Sequence, residues 1–270
     1  QVVQTLESAG FAPAFARDPL ADPELTDVCT RTEQVSHGAL YCCVKGFKTD
    51  GHTFAEEAER RGAGAFLAER PLATSLPVVL VQDSRKAAAT AAAAVHGFPA
   101  ETLSLAAVTG TNGKSTTAWI TRSILRAGGI SCGLLGTIVY DDGKREEPAD
   151  RTTPDGPSVQ RWLARIAANG GQACVMEASS HGLDLHRLEC CRYDALAFTN
   201  LTPEHLDFHG DMEGYFQAKR RLFTDHARPE ARFVLNADDP WGLRLAELFP
   251  ERTLPYGIGQ GTGLRGQILA

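Results

Sequence analysis

"LAAVTGTNGKSTTAW", Leu105 to Trp119, decides how the rest of this 270-residue chain is read. An apolar run ends in Gly110 and Gly113, and Lys114-Ser115 then opens a stretch with helical spacing. Strand, glycine turn and helix, in that order, form a phosphate-binding loop. The two glycines let successive backbone N–H groups converge on one concavity. The helix starting near Lys114 adds its positive end, and Gly128-Gly129 closes it. Lys114 suits the outer phosphates of a nucleoside triphosphate, while Ser115 or Thr116 can offer a hydroxyl to Mg2+. The strict G-x-x-x-x-G-K-[ST] pattern is not met, because Val108 stands where its first glycine would be.

Working outward, apolar segments alternate with helical ones after residue 102. "TLSLAAV", "GLLGTIVY", "ACVMEA", "DALAFTN", "ARFVLNA" and "RTLPYG" read as strands between "KSTTAWITRSILRAGG", "SVQRWLARIAANGG", "MEGYFQAKRRLF" and "WGLRLAELF". That alternation predicts a mostly parallel sheet covered on both faces. "YDDGKR" adds one antiparallel hairpin. Upstream, a polar lead-in precedes strand "GALYCCVKG", loop "KGFKTDGH", helix "TFAEEAERRGAGA", and strands "GAFLAE" and "PVVLVQD". The helix former "SRKAAATAAAAVHG" ends at Gly97 with Pro99 beyond. The expected fold class is α/β in two domains, 1–101 and 102–270.

Composition narrows the function classes. A net charge of −6 excludes a broad nucleic-acid-binding surface, so phosphate recognition must be local. No apolar run approaches the ~18 residues that span a membrane, and the N-terminus does not resemble a signal peptide. Seven cysteines without C-x-x-C spacing read as reduced thiols, which places the protein in the cytoplasm. A monomer is expected. The start at Gln1 and the stop after "GLRGQILA" suggest a fragment.

Around the loop, Glu177 ends strand "ACVMEA", where a parallel sheet presents ligands and a carboxylate suits Mg2+ directly or through water. His205 and His209 are four apart, but H-E-x-x-H is absent and "LTPEHLDFHG" reads as loop. His205 is therefore read as a ligand or orienter near metal and γ-phosphate, and His209 reads equally well as a structural histidine satisfied by nearby backbone. On the helix that follows, Met212, Tyr215, Phe216, Leu222 and Phe223 make one apolar face with Lys219 at its centre; Arg220 and Arg221 rotate away. Desolvation there lowers a lysine's pKa. The neutral amine can take up CO2 to form a carbamate able to bind a second Mg2+. The alternative is a lysine snorkelling over apolar surface.

"TGTNGKST" resembles the ATP loop of the Mur ligases, which make bacterial cell-wall precursors, and of the folylpolyglutamate synthases. Several further segments resemble the MurE type. That resemblance assigns Gly110, Thr111, Asn112, Gly113, Lys114, Ser115 and Thr116 to ATP, and Asn236 of "NADD" to the adenine side. In "SSHGLDLHR" it implies that Ser179 and Arg187 contact substrate, although Leu185 stands where many relatives carry a polar residue. Thr152 and Thr153 of "DRTTPDG" match a substrate-holding threonine motif. Gly46, Phe47 and Lys48 of "GFKTDGHTF" match the loop that receives the uridine diphosphate end. The family's Asp-Ser-Arg appears as Arg31-Thr32-Glu33, so Thr32 keeps the hydroxyl while the arginine is missing.

The resemblance implies Lys114, Glu177, His205 and Lys219 as catalytic residues, and Ser115, Glu177, His205 and carbamylated Lys219 as metal ligands. It also implies an N-terminal UDP-binding α/β domain, a P-loop ATPase domain and a C-terminal ligase domain absent from this chain. The activity implied is ATP-dependent, Mg2+-requiring addition of diaminopimelate or lysine to UDP-MurNAc-L-Ala-D-Glu through an acyl phosphate. A folylpolyglutamate-synthase-like ligase would need a pterin site and gives no reason for the domain carrying "GFKTDGHTF". A non-catalytic Mur-like nucleotide-binding protein would not need to retain Lys114, Glu177, His205 and Lys219.

Overall fold

The apolar runs of the first hundred residues pair into a five-stranded sheet in the computed structural model, which describes residues 1–16, 23–259 and 263–266. Its strands are β1 (Ala14–Phe15), β2 (Val28–Cys29), β3 (Ala39–Cys42), β4 (Ala63–Ala68) and β5 (Val78–Leu80), in spatial order β1-β5-β4-β3-β2. Only the β1–β5 pair is antiparallel. The polar lead-in carries elements of its own. It contains α1 (Val2–Ser8), β1 and β2, and Val2, Val3 and Leu6 pack into the core at helical spacing. After α2 (Ala55–Arg60), the alanine-rich segment forms α3 (Ser84–Val95), capped by Asp83, whose side chain accepts from Lys86 N. Its alanines allow close approach, so Ala87, Ala88, Ala91 and Ala92 lie against Leu40, Leu67 and Val79.

The second sheet has nine strands. They are β6 (Ser104–Thr109), β7 (Cys132–Leu135), β8 (Val139–Asp141), β9 (Glu146–Pro148), β10 (Ala173–Glu177), β11 (Tyr193–Phe198), β12 (Ala227–Asn236), β13 (Thr253–Gly257) and β14 (Leu264–Arg265). The order is β14-β13-β12-β11-β6-β10-β7-β8-β9, parallel from β14 to β7, with β8 and β9 antiparallel. The hairpin expected at "YDDGKR" joins β8 to β9, but "GLLGTIVY" is not one strand. It reverses after Leu135, giving β7 and β8. Buried Asp141 takes ion pairs from Arg122 and Arg126, and Arg165 pairs with Asp142 at 2.7 Å, which anchors the hairpin.

The helices after α3 are α4 (Pro99–Thr102), α5 (Lys114–Ala127), α6 (Gly156–Ala168), α7 (Ser180–Asp184), α8 (Leu206–His209), α9 (Met212–Asp225) and α10 (Pro240–Leu248). No described helix is long and apolar enough to cross a membrane. The chain divides into two compact units, one of 1–99 with 155–164 and 185–190, the other of 100–154 with 165–184 and 191–270. Arg161 shows why a later segment joins the first unit: its Nε donates to Asp27 Oδ2 at 2.9 Å and its Nη2 to Val28 O at 2.9 Å. Burial alone would raise the Asp27 carboxyl, but hydrogen bonds from His96 and Arg161 hold it below the usual range. All seven cysteines are free thiols.

Candidate functional site

Strand β6 lies between β10 and β11, so the chain leaves it toward β7 on one side and later returns to pair on the other. Open parallel sheets bind ligands at such a reversal, outside the carboxyl ends of the strands. The loop of residues 110–113 sits there. It is seated on the residues following β11: Thr111 N donates to Asn200 O at 2.8 Å, Asn112 N to Asn200 Oδ1 at 3.0 Å, and Thr199 Oγ1 to Asn112 O at 2.6 Å. Gly110 has φ +144°, and a Cβ there would run into the Thr199 hydroxyl. Glycine is what lets the loop close onto its seat. Gly113, at φ +85°, then turns the chain into α5.

A cavity of about 350 Å³ opens above the loop. It is lined by Thr111 through Thr116, Thr137, Thr152, Glu177, Ser179, Ser180, Glu204, His205, Tyr215 and Lys219. Most residues expected to handle ATP, metal and the reacting end of a substrate therefore meet here. Sequence reasoning does not single out Thr137, Ser180, Glu204 and Tyr215, which the structure adds to the lining. From sequence, Tyr215 reads only as part of the apolar face of α9.

The cationic groups are folded inward. Lys114 Nζ donates to Thr111 O at 2.8 Å and Gly110 O at 3.1 Å, closing across its own loop. Burial lowers its pKa, and Glu177 and Glu204 partly oppose that shift. Lys219 is 1% exposed, as its place on the apolar face of α9 predicts. Its Nζ donates to Gly110 O at 2.8 Å and lies 4.5 Å from the Tyr215 ring centre. Burial, reinforced by the nearby Lys114 charge, brings the Lys219 ammonium down from 10.5 to about 7.

Glu177 is fully buried at the end of β10. Its Oε2 accepts from Ser115 Oγ at 3.0 Å. Among the described residues no cluster of three or more His, Cys, Asp or Glu could hold a metal ion. The donors present are a carboxylate and hydroxyls, hard oxygens that suit Mg2+ if phosphate oxygens and water complete the shell. The site chemistry fits such a cation.

His205 adopts φ +57°, a left-handed conformation in which histidine is enriched, and precedes the single helical turn α8 where sequence suggested loop. Its ring lies 4.8 Å from that of His181. His209 is not satisfied by backbone as expected. Its ring stacks on Tyr215 at 5.1 Å, and its buried Nε2 has no hydrogen-bond partner. Burial, followed by the His181 charge, lowers its pKa.

The remaining assignments separate. Thr153 is buried beneath the cavity, where its hydroxyl donates to Glu177 O at 2.7 Å and accepts from Ser179 N at 3.0 Å. The Ser179 hydroxyl in turn accepts from Gly182 N at 3.0 Å, capping α7. Asn236 does not line the cavity. Its amide donates to Thr199 O at 2.7 Å and its Oδ1 accepts from Asp238 N at 2.9 Å, so both ends are engaged in the fold. Thr32, Gly46, Phe47, Lys48 and Arg187 belong to the first unit. There the loop of residues 45–50 is pinned by Gly46 N donating to Thr49 O at 2.8 Å and Arg85 Nη2 to Lys45 O at 2.6 Å. Thr32 is buried, whereas Phe47 is 77% exposed.

Two family profiles match the chain. The Mur ligase middle domain covers residues 108–268, and the profile described as "Mur ligase family, catalytic domain" covers residues 24–115. UDP-N-acetylmuramoyl-L-alanyl-D-glutamate--2,6-diaminopimelate ligase of Geobacillus kaustophilus is 46% identical over 252 residues, 91% of this chain and 51% of that one. UDP-N-acetylmuramyl-tripeptide synthetase of Deinococcus radiodurans is 42% identical over 269 residues, 97% of this chain and 54% of that one. A solved UDP-N-acetylmuramoyl-L-alanyl-D-glutamate--2,6-diaminopimelate ligase superposes with a TM-score of 0.71 at 27% identity, covering 88% of this chain and 50% of that one. The MurF ligase of Thermotoga maritima, solved in complex with ADP, gives 0.64 at 26% identity, covering 90% and 52%. The chain thus spans about half the length of these relatives.

Proposed function

The chain belongs to the Mur ligase family, and from that premise we propose that it serves an ATP-dependent, ADP-forming amide ligase of the MurE type. The reaction adds an amino acid, diaminopimelate or lysine, to UDP-N-acetylmuramoyl-L-Ala-D-Glu in peptidoglycan precursor synthesis. Such an enzyme would work in the cytoplasm, as a monomer, without nucleic acid or membrane. The observation that carries this reading is the meeting of Lys114, Ser115, Glu177 and Lys219 around one cavity at the mouth of a glycine loop. Residues 1–101 would receive the uridine diphosphate end and 102–270 the ATP.

In this reading Lys114 leaves its loop carbonyls for the outer phosphates, and the backbone N–H groups of residues 113–116, at the start of α5, draw charge off the γ-phosphate. The substrate carboxylate attacks in line, giving an acyl phosphate and ADP. The incoming amine then attacks the activated carbonyl and expels phosphate, leaving an amide. Ser115 and Glu177 would hold Mg2+, which supplies charge neutralisation at the phosphates, with His205 orienting the γ-phosphate side. Thr152, Thr153, Ser179 and Arg187 would hold substrate, and Asn236 the adenine side of the nucleotide. Lys219 is proposed to be carbamylated. Its neutral Nζ adds to the carbon of CO2 and releases a proton, placing an anion beside Lys114 for a second Mg2+.

The test is phosphate release from ATP that requires UDP-N-acetylmuramoyl-L-Ala-D-Glu and an amino acid together. Release with ATP alone, at the same rate, would overturn the ligase reading. For the first unit, UDP-N-acetylmuramic acid is expected to protect Lys45 to Phe54 from hydrogen exchange, with Thr32, Gly46, Phe47 and Lys48 as its contacts. Protection confined to residues 108–120 would show that the uridine site lies elsewhere.

A further inference from the structure

The turn that interrupts "GLLGTIVY" has its own task. Between β7 and β8, Thr137 grips Glu177 twice. Its backbone N–H donates to Oε1 at 2.9 Å and its hydroxyl to Oε2 at 3.0 Å. Ser115 supplies the second donor to Oε2 at 3.0 Å. A carboxylate offers about four acceptor sites, two on each oxygen. Three are taken, which fixes the plane of the carboxylate. Ser115, by giving its proton to Glu177, also keeps its own oxygen lone pairs free for a cation. Gly136 completes the arrangement, since a Cβ there would drive into Oε1.

A terminal carboxylate torsion is broad and roughly two-fold, so nothing intrinsic to Glu177 fixes its plane. From this geometry we propose that Thr137 is a positioning residue that locks the plane of the Glu177 carboxylate for the Mg2+ that would accompany the nucleotide. The proposal deepens the nucleotide reading above and rests on it. Thr137 touches neither nucleotide nor metal in this role; it acts through Glu177. The Thr137 hydroxyl also lies 3.1 Å from that of Thr152, which lines the same cavity.

The test replaces Thr137 by valine, which keeps shape and backbone N–H but removes the hydroxyl, and by serine, which restores it. Binding of a non-hydrolysable ATP analogue is titrated against Mg2+ by calorimetry. For Thr137→Val the half-saturating Mg2+ concentration is expected to rise about tenfold, the usual effect of losing an outer-shell partner of a metal ligand. Affinity at saturating Mg2+ should stay within about twofold of wild type, and Thr137→Ser within about threefold throughout. A merely structural role would instead weaken binding equally at every Mg2+ concentration. That outcome, or a valine variant with the wild-type Mg2+ dependence, overturns the proposal. If valine prevents folding, the serine variant decides alone: a tenfold Mg2+ shift despite its hydroxyl would overturn the assignment. A wild-type chain that binds no nucleotide at any Mg2+ concentration overturns the nucleotide reading, and this proposal with it.

Discussion

Lys114→Ala is expected to weaken binding of a non-hydrolysable ATP analogue by at least about 100-fold and to abolish turnover, because it removes the main positive charge available to the outer phosphates. The unliganded geometry supports a large effect. Lys114 Nζ rests on Thr111 O and Gly110 O, within its own loop, so it is already held beside the place a β- or γ-phosphate would occupy. Its burial lowers its pKa, and a bound polyphosphate would reverse that shift by supplying a counter-charge. The loss is not one of fold. The loop is seated by Thr199 and Asn200, whose contacts do not involve the lysine side chain. Calorimetric affinity within twofold of wild type would sink the phosphate-loop assignment.

Lys219 carries the second large expectation, in two independent readouts. In the complete enzyme Lys219→Ala should lose on the order of 10²–10³ in turnover, comparable to removing one essential electrostatic group. A small carboxylate added at millimolar levels should restore part of it by filling the vacated place. Arg220→Ala should cost little, since the Arg220 guanidinium donates from Nη1 to Oε1 of its helix neighbour Gln217 at 3.1 Å. A fully active Lys219→Ala enzyme would end the carbamate proposal.

The other readout concerns stability. Lys219 titrates near 7 in the folded chain and at 10.5 when unfolded, so between those values the unfolded chain holds the extra proton. Stability therefore rises with pH across that window, and the full penalty of a buried ammonium is felt below pH 7. Lys219→Met removes the penalty. In CO2-free buffer without nucleotide, Lys219→Met should gain on wild type by roughly 4 kcal/mol more at pH 6 than at pH 10. A difference between the two proteins that does not change with pH would show that Nζ is not desolvated as the structure places it.

How much of this was legible in the sequence depended on whether a contact was local. The glycine turn and the burial of Lys219 were readable, since glycine spacing and the helical period are properties of neighbouring residues. The loop's seat was not, because Thr199 and Asn200 lie some ninety residues away and carry no motif of their own. Thr137 was hidden for a different reason. Thr-Ile-Val is a β-branched run that reads as strand, so the turn was masked by propensity even though Gly136 stood beside it. The elements of the lead-in were not legible because Val2, Val3 and Leu6 form too short an apolar stripe to stand out from polar neighbours. His209 went the other way, since its ring stacking replaced the expected backbone partner.

The seat of the phosphate loop has a consequence for how the protein is made. Residues 105–119 leave the ribosome as one short piece, yet their shape depends on β11 and on Thr199-Asn200 behind it. At ordinary elongation rates the loop must wait on the order of ten seconds for that support. Parallel pairing across such separations is also intrinsically slow, because loop closure comes before any contact rewards it. A nascent chain thus exposes its glycine loop without the geometry to hold a triphosphate. On the proposed nucleotide reading, ATP would engage only after the central strands have closed around β6, and by mass action it would then favour the chains that have finished assembling.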